Sequence, residues 1–98
     1  MIYKIVVTPD AIENFENAVN YYKNIASPKV AKLFIDDYRK TFKDIQKTKY
    51  FQFFFEDFRC KPMKKFPYVV FHTIDEDIKV IIIKAVFHTS KNPNKYPK

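Results

Sequence analysis

The sequence predicts an α+β fold in which an N-terminal strand and an antiparallel helical hairpin precede a three-stranded antiparallel segment. β-Branched and aromatic residues occupy positions 2–7 around Lys4, two apolar stripes with helical spacing follow, and three strand-like runs occupy the second half. Together these elements predict a four-stranded sheet with the helices on one face. A chain of 98 residues has room for one core, so residues 1–98 are expected to form a single domain.

The two helices are predicted from their start signals. A Thr-Pro pair at 8–9 and a Ser-Pro pair at 27–28 each place an N-cap residue before a proline at the first helical position. They predict helices over 9–26 and 28–47, joined by a very short turn. The predicted apolar stripes are Ile12, Phe15, Val19, Tyr22 and Ala26 in the first helix, and Val30, Phe34, Tyr38, Thr41 and Ile45 in the second.

The segment 48–57 contains five aromatic residues in ten and has no clear period. It can finish a helix, line a loop over the core or begin a strand, and we treat it as an aromatic connector. Strands are predicted beyond it at 58–63, 66–74 and 78–88. The acidic residues 75–77 are expected to form the hairpin loop between the last two.

Strand alternation predicts which side chains the helices cover, because successive residues point to opposite faces of a sheet. We expect the covered face to hold Val69, Phe71, Ile81, Ile83, Ala85 and Phe87. The open face would then gather Lys4, Arg59, Lys61, Tyr68, His72, Lys84 and His88 around an apolar floor of Val6, Val70, Ile82 and Val86. Such a basic concavity can bind a ligand, although an antiparallel sheet solvated on one side would look the same without any function.

The charge of the chain is unevenly distributed. Eighteen Lys and Arg against eleven Asp and Glu give a net charge of +7. Residues 59–98 carry nine basic and three acidic side chains, whereas residues 1–58 carry nine and eight. The asymmetry indicates a polyanionic or acidic partner, either nucleic acid or an acidic protein segment. The alternative is that the lysines keep an aromatic-rich small protein soluble.

The composition excludes several kinds of site. The chain has no glycine, which P-loops, dinucleotide fingerprints and nucleophile elbows require. One cysteine and two histidines show no metal-ligand spacing, so no metal or cofactor is expected. The single Cys60 allows no intrachain disulfide, and no run approaches the roughly 18 apolar residues of a membrane span. These features, with no secretory segment at the N-terminus, predict a cytoplasmic protein without membrane partners.

Three short motifs then appear in a fixed order: F-P-Y at 66–68, A-V-F-H at 85–88 and N-P at 92–93. With the basic strand before them and the acidic hairpin between them, residues 58–96 resemble the C-terminal half of the RelE/ParE superfamily of bacterial toxins, of the plasmid-stabilisation type. The preceding helical hairpin is similar in length and order. The chain departs from the family pattern at Lys91, where arginine is usual, and at Tyr96, where tryptophan is more usual.

The resemblance implies a toxin that a cognate antitoxin from the neighbouring gene neutralises. RelE-like members cut messenger RNA in the ribosomal A site, as mRNA interferases, whereas ParE-like members bind and block DNA gyrase. A fold does not choose between such activities. We predict a ribosome-dependent endoribonuclease, with a non-enzymatic gyrase inhibitor or an inactive antitoxin-binding remnant as alternatives. Whether the chain is an enzyme, and whether it forms an oligomer, stays open.

RNA cleavage of this type needs a proton donor and acceptor and cations beside the crowded phosphate. His88 can act as base or acid because imidazole titrates near neutral pH. The predicted catalytic residues are Arg59, Lys61, His88 and Lys91, and the predicted substrate-binding residues are Lys4, Lys65, Tyr68, Lys84 and Tyr96. Alternatively, His88 is a hydrogen-bonded side chain at a strand end, and Tyr68 packs rather than reacts.

Overall fold

The structure is a computed structural model that describes residues 3–47, 53–55 and 58–89. Its elements in chain order are β1 (Lys4–Val7), α1 (Pro9–Ile25), α2 (Pro28–Lys47), β2 (Phe53–Phe55), β3 (Phe58–Pro62), β4 (Tyr68–Asp75) and β5 (Val80–His88). The predicted α+β fold, with a strand, a helical hairpin and three further strands, is confirmed. The short β2 lies in the segment 48–57, whose structure the sequence pattern did not decide.

The strands form one mixed sheet in the order β1-β5-β4-β3-β2. β1 runs parallel to β5, and the other neighbouring pairs are antiparallel. The four predicted strands are all present, and β2 adds a fifth at the edge. In the acidic hairpin between β4 and β5, the Asp75 carboxylate accepts hydrogen bonds from the amides of Asp77 and Ile78, at 3.1 and 3.3 Å. No helix in the described part of the chain is long and apolar enough to cross a membrane.

Both helices begin at the predicted caps. The Thr8 hydroxyl accepts a hydrogen bond from the Ala11 amide at 3.3 Å, and the Ser27 hydroxyl accepts one from the Val30 amide at 3.2 Å. Each cap satisfies an amide that has no partner within its own helix. α1 ends one residue earlier than predicted, because Ala26 is its C-cap.

The two helices present different kinds of side chain to the core. α1 buries the small residues Ala11 and Ala18, which let its backbone lie close to the sheet. Ile12, which we predicted in its apolar stripe, is instead 46% exposed. α2 buries the larger side chains Phe34, Tyr38, Thr41 and Ile45, as predicted.

The register of β4 and β5 corrects the predicted faces of the sheet. Val70 pairs with Val86 and His72 pairs with Ile83, and directly opposed residues share a face. The core cluster beneath the helices includes Tyr68, Val70, Ile81, Ile83 and Val86. The prediction is therefore confirmed for Ile81 and Ile83. It is wrong for Val69, Phe71, Ala85 and Phe87, which lie on the opposite face of the sheet.

A register shift next to Lys84 explains the error. Phe71 pairs with Ala85 while His72 pairs with Ile83, so Lys84 is one extra residue in β5. Such a bulge reverses the alternation, which puts Val86 and His88 on the face of Ile83 rather than the opposite one. Thr8 contacts β5 at this point, because its hydroxyl donates to the carbonyl oxygens of Ile83 at 3.0 Å and Lys84 at 3.3 Å.

Candidate functional site

The F-P-Y motif lies in an aromatic cluster between the helical hairpin and the sheet. The Tyr68 ring is 5.2 Å from that of Phe34, and the Phe66 ring is 4.9 Å from that of Tyr22. Tyr68 is only 7% exposed. Burial, with a smaller effect of Tyr22 and Tyr21, raises the pKa of Tyr68 to about 12. The phenol is therefore neutral at physiological pH and packs against other rings.

His88 lies directly opposite Tyr68 at the end of β5. Their ring centroids are 5.2 Å apart with an interplanar angle of 82°, so one ring meets the other edge to face. The next residue, Thr89, donates its amide to the carbonyl oxygen of Pro67 at 2.8 Å. The half-buried imidazole of His88, at the end of β5, therefore lies against the F-P-Y motif.

Two predicted catalytic cations, Arg59 and Lys61, lie on β3 and are half-buried. Arg59 pairs with His72 and Lys61 pairs with Val70, which places both on the face of the core cluster. The predicted open face is therefore wrong for seven of its members, which lie on the face that the helices cover: Arg59, Lys61, Tyr68, His72 and His88, and Val70 and Val86 of the apolar floor. These residues do share one face, but His72 is fully buried and Tyr68 nearly so.

Three other predicted site residues lie elsewhere. Lys4 is exposed on β1, on the opposite face at the other end of the sheet. Lys84, at the bulge, lines a cleft of about 520 Å³ together with Asp10, Glu13, Asn14, Asn17, Phe58, Ala85 and Phe87. Lys65 lies in the turn between β3 and β4. Lys91 and Tyr96 fall outside the described residues, so the catalytic and binding roles of the predicted set stay predictions.

The Lys65 turn is held by Asp37, a residue that the sequence pattern did not single out. The Asp37 carboxylate, in a side chain 3% exposed, accepts a hydrogen bond from the Lys65 backbone amide at 2.8 Å. A signal was present, because Asp37 follows Phe34 by three residues and precedes Thr41 by four. Those spacings place it beside the apolar stripe of α2.

Asn14 is a second residue that the pattern missed. β1 pairs with β5 only as far as Ile83. Beyond that point the Asn14 side chain accepts a hydrogen bond from the Val86 amide at 3.1 Å, which satisfies a donor at the edge of β5. The Asn14 side chain of α1 therefore accepts a hydrogen bond that a carbonyl oxygen of a neighbouring strand would otherwise accept. The sequence did carry a signal for Asn14, because asparagine has a low helix propensity and is unexpected in a helix interior.

Two further observations concern the thiol of Cys60 and the side chains that could bind a metal. Burial raises the pKa of the Cys60 thiol, which lowers the fraction of thiolate at neutral pH. Within residues 3–47, 53–55 and 58–89, no group of three or more His, Cys, Asp or Glu side chains could hold a metal ion.

Comparison with known proteins places this arrangement in a family. Residues 5–93 match the family model described as the ParE toxin of the type II toxin-antitoxin system, parDE. The fold is similar to a chain of a chromosomal ParDE system from P. aeruginosa, with a TM-score of 0.78, 14% identity, and 90% of this chain and 97% of that chain covered. It is also similar to a chain of the RelBE2 toxin-antitoxin complex from Mycobacterium tuberculosis, with a TM-score of 0.60, 13% identity and coverage of 90% and 99%. No curated protein has a sequence that matches it.

The family match spans nearly the whole chain, from β1 to beyond β5, and it includes the helical hairpin, the F-P-Y motif and the end of the last strand. The chain therefore belongs to the ParE toxin family of type II toxin-antitoxin systems.

Proposed function

We propose that this toxin acts by binding DNA gyrase rather than by cutting messenger RNA. The observation on which the proposal rests is the placement of the two histidines of the chain. His72 is fully buried, and His88 is half-buried with its ring against Tyr68. A general base must come within hydrogen-bonding distance of the proton that it removes. His72 could reach an RNA ribose only if the elements that cover it moved away from the sheet.

The neighbourhood of His88 favours a packing role as well. Tyr68 contacts the rings of Phe34 and Tyr22, and like an ordinary tyrosine it is uncharged at neutral pH. The pair therefore joins the end of β5 to the aromatic cluster. Inhibition by binding needs a stable surface and no proton transfer, and the match to the ParE family model agrees with that mode of action.

A cognate antitoxin is the expected partner of the toxin in the cytoplasm. The two similar folds come from toxin-antitoxin systems. The net charge of +7 suits an antitoxin segment with acidic residues, because complementary charge accelerates encounter and selects partners. Binding between the chain and the product of the adjacent gene should therefore become slower as salt is raised.

Ribosome-dependent RNA cleavage is the second candidate, and one observation favours it. Arg59, Lys61, Tyr68 and His88 share one face of the sheet through the register of β3, β4 and β5. A cleavage site would need cations and an imidazole on one side of the phosphate. Removal of the imidazole by His88→Gln would then lower cleavage about 10²- to 10⁴-fold.

The two candidates are separated by inducing the chain in cells that lack the antitoxin. Gyrase binding predicts that plasmid DNA loses negative supercoiling while messenger RNA on ribosomes stays intact. His88→Gln should arrest growth as the wild type does, provided that it folds. Cleaved messenger RNA with normal plasmid topology, and loss of growth arrest in His88→Gln, would overturn the proposal in favour of the nuclease.

A further inference from the structure

The solvent-exposed face of α2 is a line of positive charge. Its basic residues are separated by three, four or seven positions, apart from the adjacent Arg39 and Lys40, and these separations keep them on one side of the helix. The exposed cations are Lys29, Lys32, Arg39, Lys40, Lys43 and Lys47, and the exposed acid among them is Asp36. We call these six basic residues the α2 stripe. At about 1.5 Å of rise per residue, it extends about 27 Å from end to end.

A second basic element lies beside the stripe. Lys64 and Lys65 are exposed in the turn between β3 and β4. The hydrogen bond from the Lys65 amide to the Asp37 carboxylate fixes this turn against the flank of α2. Asp37 is buried, so its side chain holds the turn while the two ammonium groups remain in solvent.

The chemistry of the exposed face identifies the ligand class. Recognition of single-stranded nucleic acid relies on aromatic side chains that stack on bases, but the α2 aromatics Phe34 and Tyr38 are buried in the core and Phe42 is half-buried. A helix that lies on a membrane needs a broad apolar face in contact with lipid. Leu33, 46% exposed, is the large apolar side chain that α2 offers to solvent.

A straight line of ammonium and guanidinium groups is complementary to a regular line of phosphates. Duplex DNA presents one phosphate per 3.4 Å of helix axis on each strand, so the stripe spans the axial length of about eight base pairs. The neutral polar side chains of α2 are occupied, since Thr41 donates to the Asp37 carbonyl oxygen and Gln46 donates to the Tyr3 carbonyl oxygen. This face therefore offers no free amide or hydroxyl side chain of α2 for reading bases, and its lysines and Arg39 are expected to contact phosphates.

We propose that the α2 stripe and the Lys64–Lys65 turn form a surface that binds the phosphate backbone of double-stranded DNA without sequence preference. The surface is separate from the Tyr68–His88 pair. It goes beyond gyrase binding and does not depend on it. Asp37 acts as a positioning residue, which holds the turn beside the stripe without touching DNA.

The test is the salt dependence of binding by the purified full-length chain to a labelled 30-base-pair DNA duplex. Removing a lysine that contacts a phosphate should lower the slope of log affinity against log salt by about one. The double variant Lys40→Gln/Lys43→Gln should lower it by about two, and by the same amount on duplexes of different sequence. Lys64→Gln/Lys65→Gln should show a similar loss.

Lys23→Gln is the matched control, because Lys23 is an exposed lysine on α1. Its slope should equal that of the wild type. The proposal is overturned if Lys23→Gln loses as much per residue as the α2 variants, since net charge alone would then explain binding. It is also overturned by tighter binding to single-stranded RNA, to polyglutamate or to anionic vesicles than to the duplex, and by no binding to the duplex at low salt.

Discussion

The two helices of the hairpin lie on the same face of the sheet. They differ in the side chains that they turn toward the core and in those that they turn toward solvent. Toward the core, α1 buries the alanines at 11 and 18, whereas α2 buries Phe34 and Ile45 completely. Toward solvent, α1 exposes three acids, Asp10, Glu13 and Glu16, and one base, Lys23. α2 exposes six bases and one acid.

This difference indicates a division of roles. α1 can approach the sheet because its inner side chains are small, and its polar groups at Thr8 and Asn14 then satisfy the edge of β5. α2 fills the core with larger rings, and among the described residues it exposes six basic side chains on its outer face. α1 thus positions the edge of β5 by side-chain hydrogen bonds, and α2 exposes a row of basic side chains.

The largest expected loss of stability comes from truncating a side chain that α2 contributes to the core. Phe34 is fully buried, and its ring lies within 5.5 Å of those of Tyr22, Phe66 and Tyr68. Phe34→Ala should lower the free energy of unfolding by about 3 to 5 kcal/mol, measured by urea denaturation. Phe15→Ala on α1 is the control, because that ring is half-buried and should cost less. An equal or larger loss for Phe15→Ala would reverse the comparison.

The next largest loss of stability is expected from removing the carboxylate of Asp37 on the flank of α2. Asp37→Ala removes the charged acceptor of the Lys65 amide and should lower the free energy of unfolding by about 1.5 to 3 kcal/mol. The exposed neighbour gives the control, since Asp36→Ala should change stability by less than about 0.5 kcal/mol. Similar small effects of both substitutions would show that the turn is not held by this carboxylate.

Alkaline pH should weaken the aromatic cluster that α2 shares with Tyr68. In the unfolded chain a tyrosine ionises near pH 10, whereas burial raises the pKa of Tyr68 to about 12. Above pH 10 the unfolded chain releases a proton that the folded chain keeps, so stability is lost as pH rises from about 10 to 12. The contribution is on the order of 1 to 2 kcal/mol, after allowance for residual solvent screening.

Denaturation at pH 8, 10 and 11 measures this loss, with Tyr68→Phe as the comparison. The variant has no phenol to ionise at this position, so its stability should fall less steeply over the same pH interval. Equal slopes for the two proteins would show that Tyr68 does not contribute to the alkaline loss.

The smallest loss of stability among these predictions is expected from removing the cap at the start of α1. Thr8 caps the helix and donates to β5, so Thr8→Ala should lower stability by about 1 kcal/mol. Thr8→Ser keeps the hydroxyl and should retain most of the stability in the same thermal or urea measurement. If Thr8→Ser loses as much as Thr8→Ala, the methyl group and not the hydroxyl is responsible.

The helices and strands were predictable from the sequence, because helix caps and the spacing of apolar residues are local signals. The Thr-Pro and Ser-Pro pairs at 8–9 and 27–28 define the starts of both helices, and the β-branched residues of 80–83 define the last strand. The faces of the sheet were not predictable by alternation. Residues 80–88 are apolar at all but two positions, so a one-residue bulge at Lys84 leaves no trace in the hydrophobic pattern.

The candidate site was only partly predictable for a related reason. Alternation assigned His72 and Tyr68 to an open face, opposite the apolar Val69 and Phe71, yet both His72 and Tyr68 are buried. A near-continuous apolar strand such as 68–74 is compatible with either orientation. The contacts of Asp37 and Asn14 span 28 and 72 residues, and local spacing cannot reveal such partners.

The most direct test of gyrase binding is a supercoiling assay with purified gyrase, relaxed plasmid and the purified toxin. We predict that wild type and His88→Gln inhibit supercoiling at the same concentration, once the folded fraction of each is matched, because His88 packs against Tyr68 and our proposal gives it no role in chemistry. The proposal would be contradicted if the wild type left gyrase unaffected at concentrations at which it cleaves messenger RNA on ribosomes, and if His88→Gln abolished that cleavage.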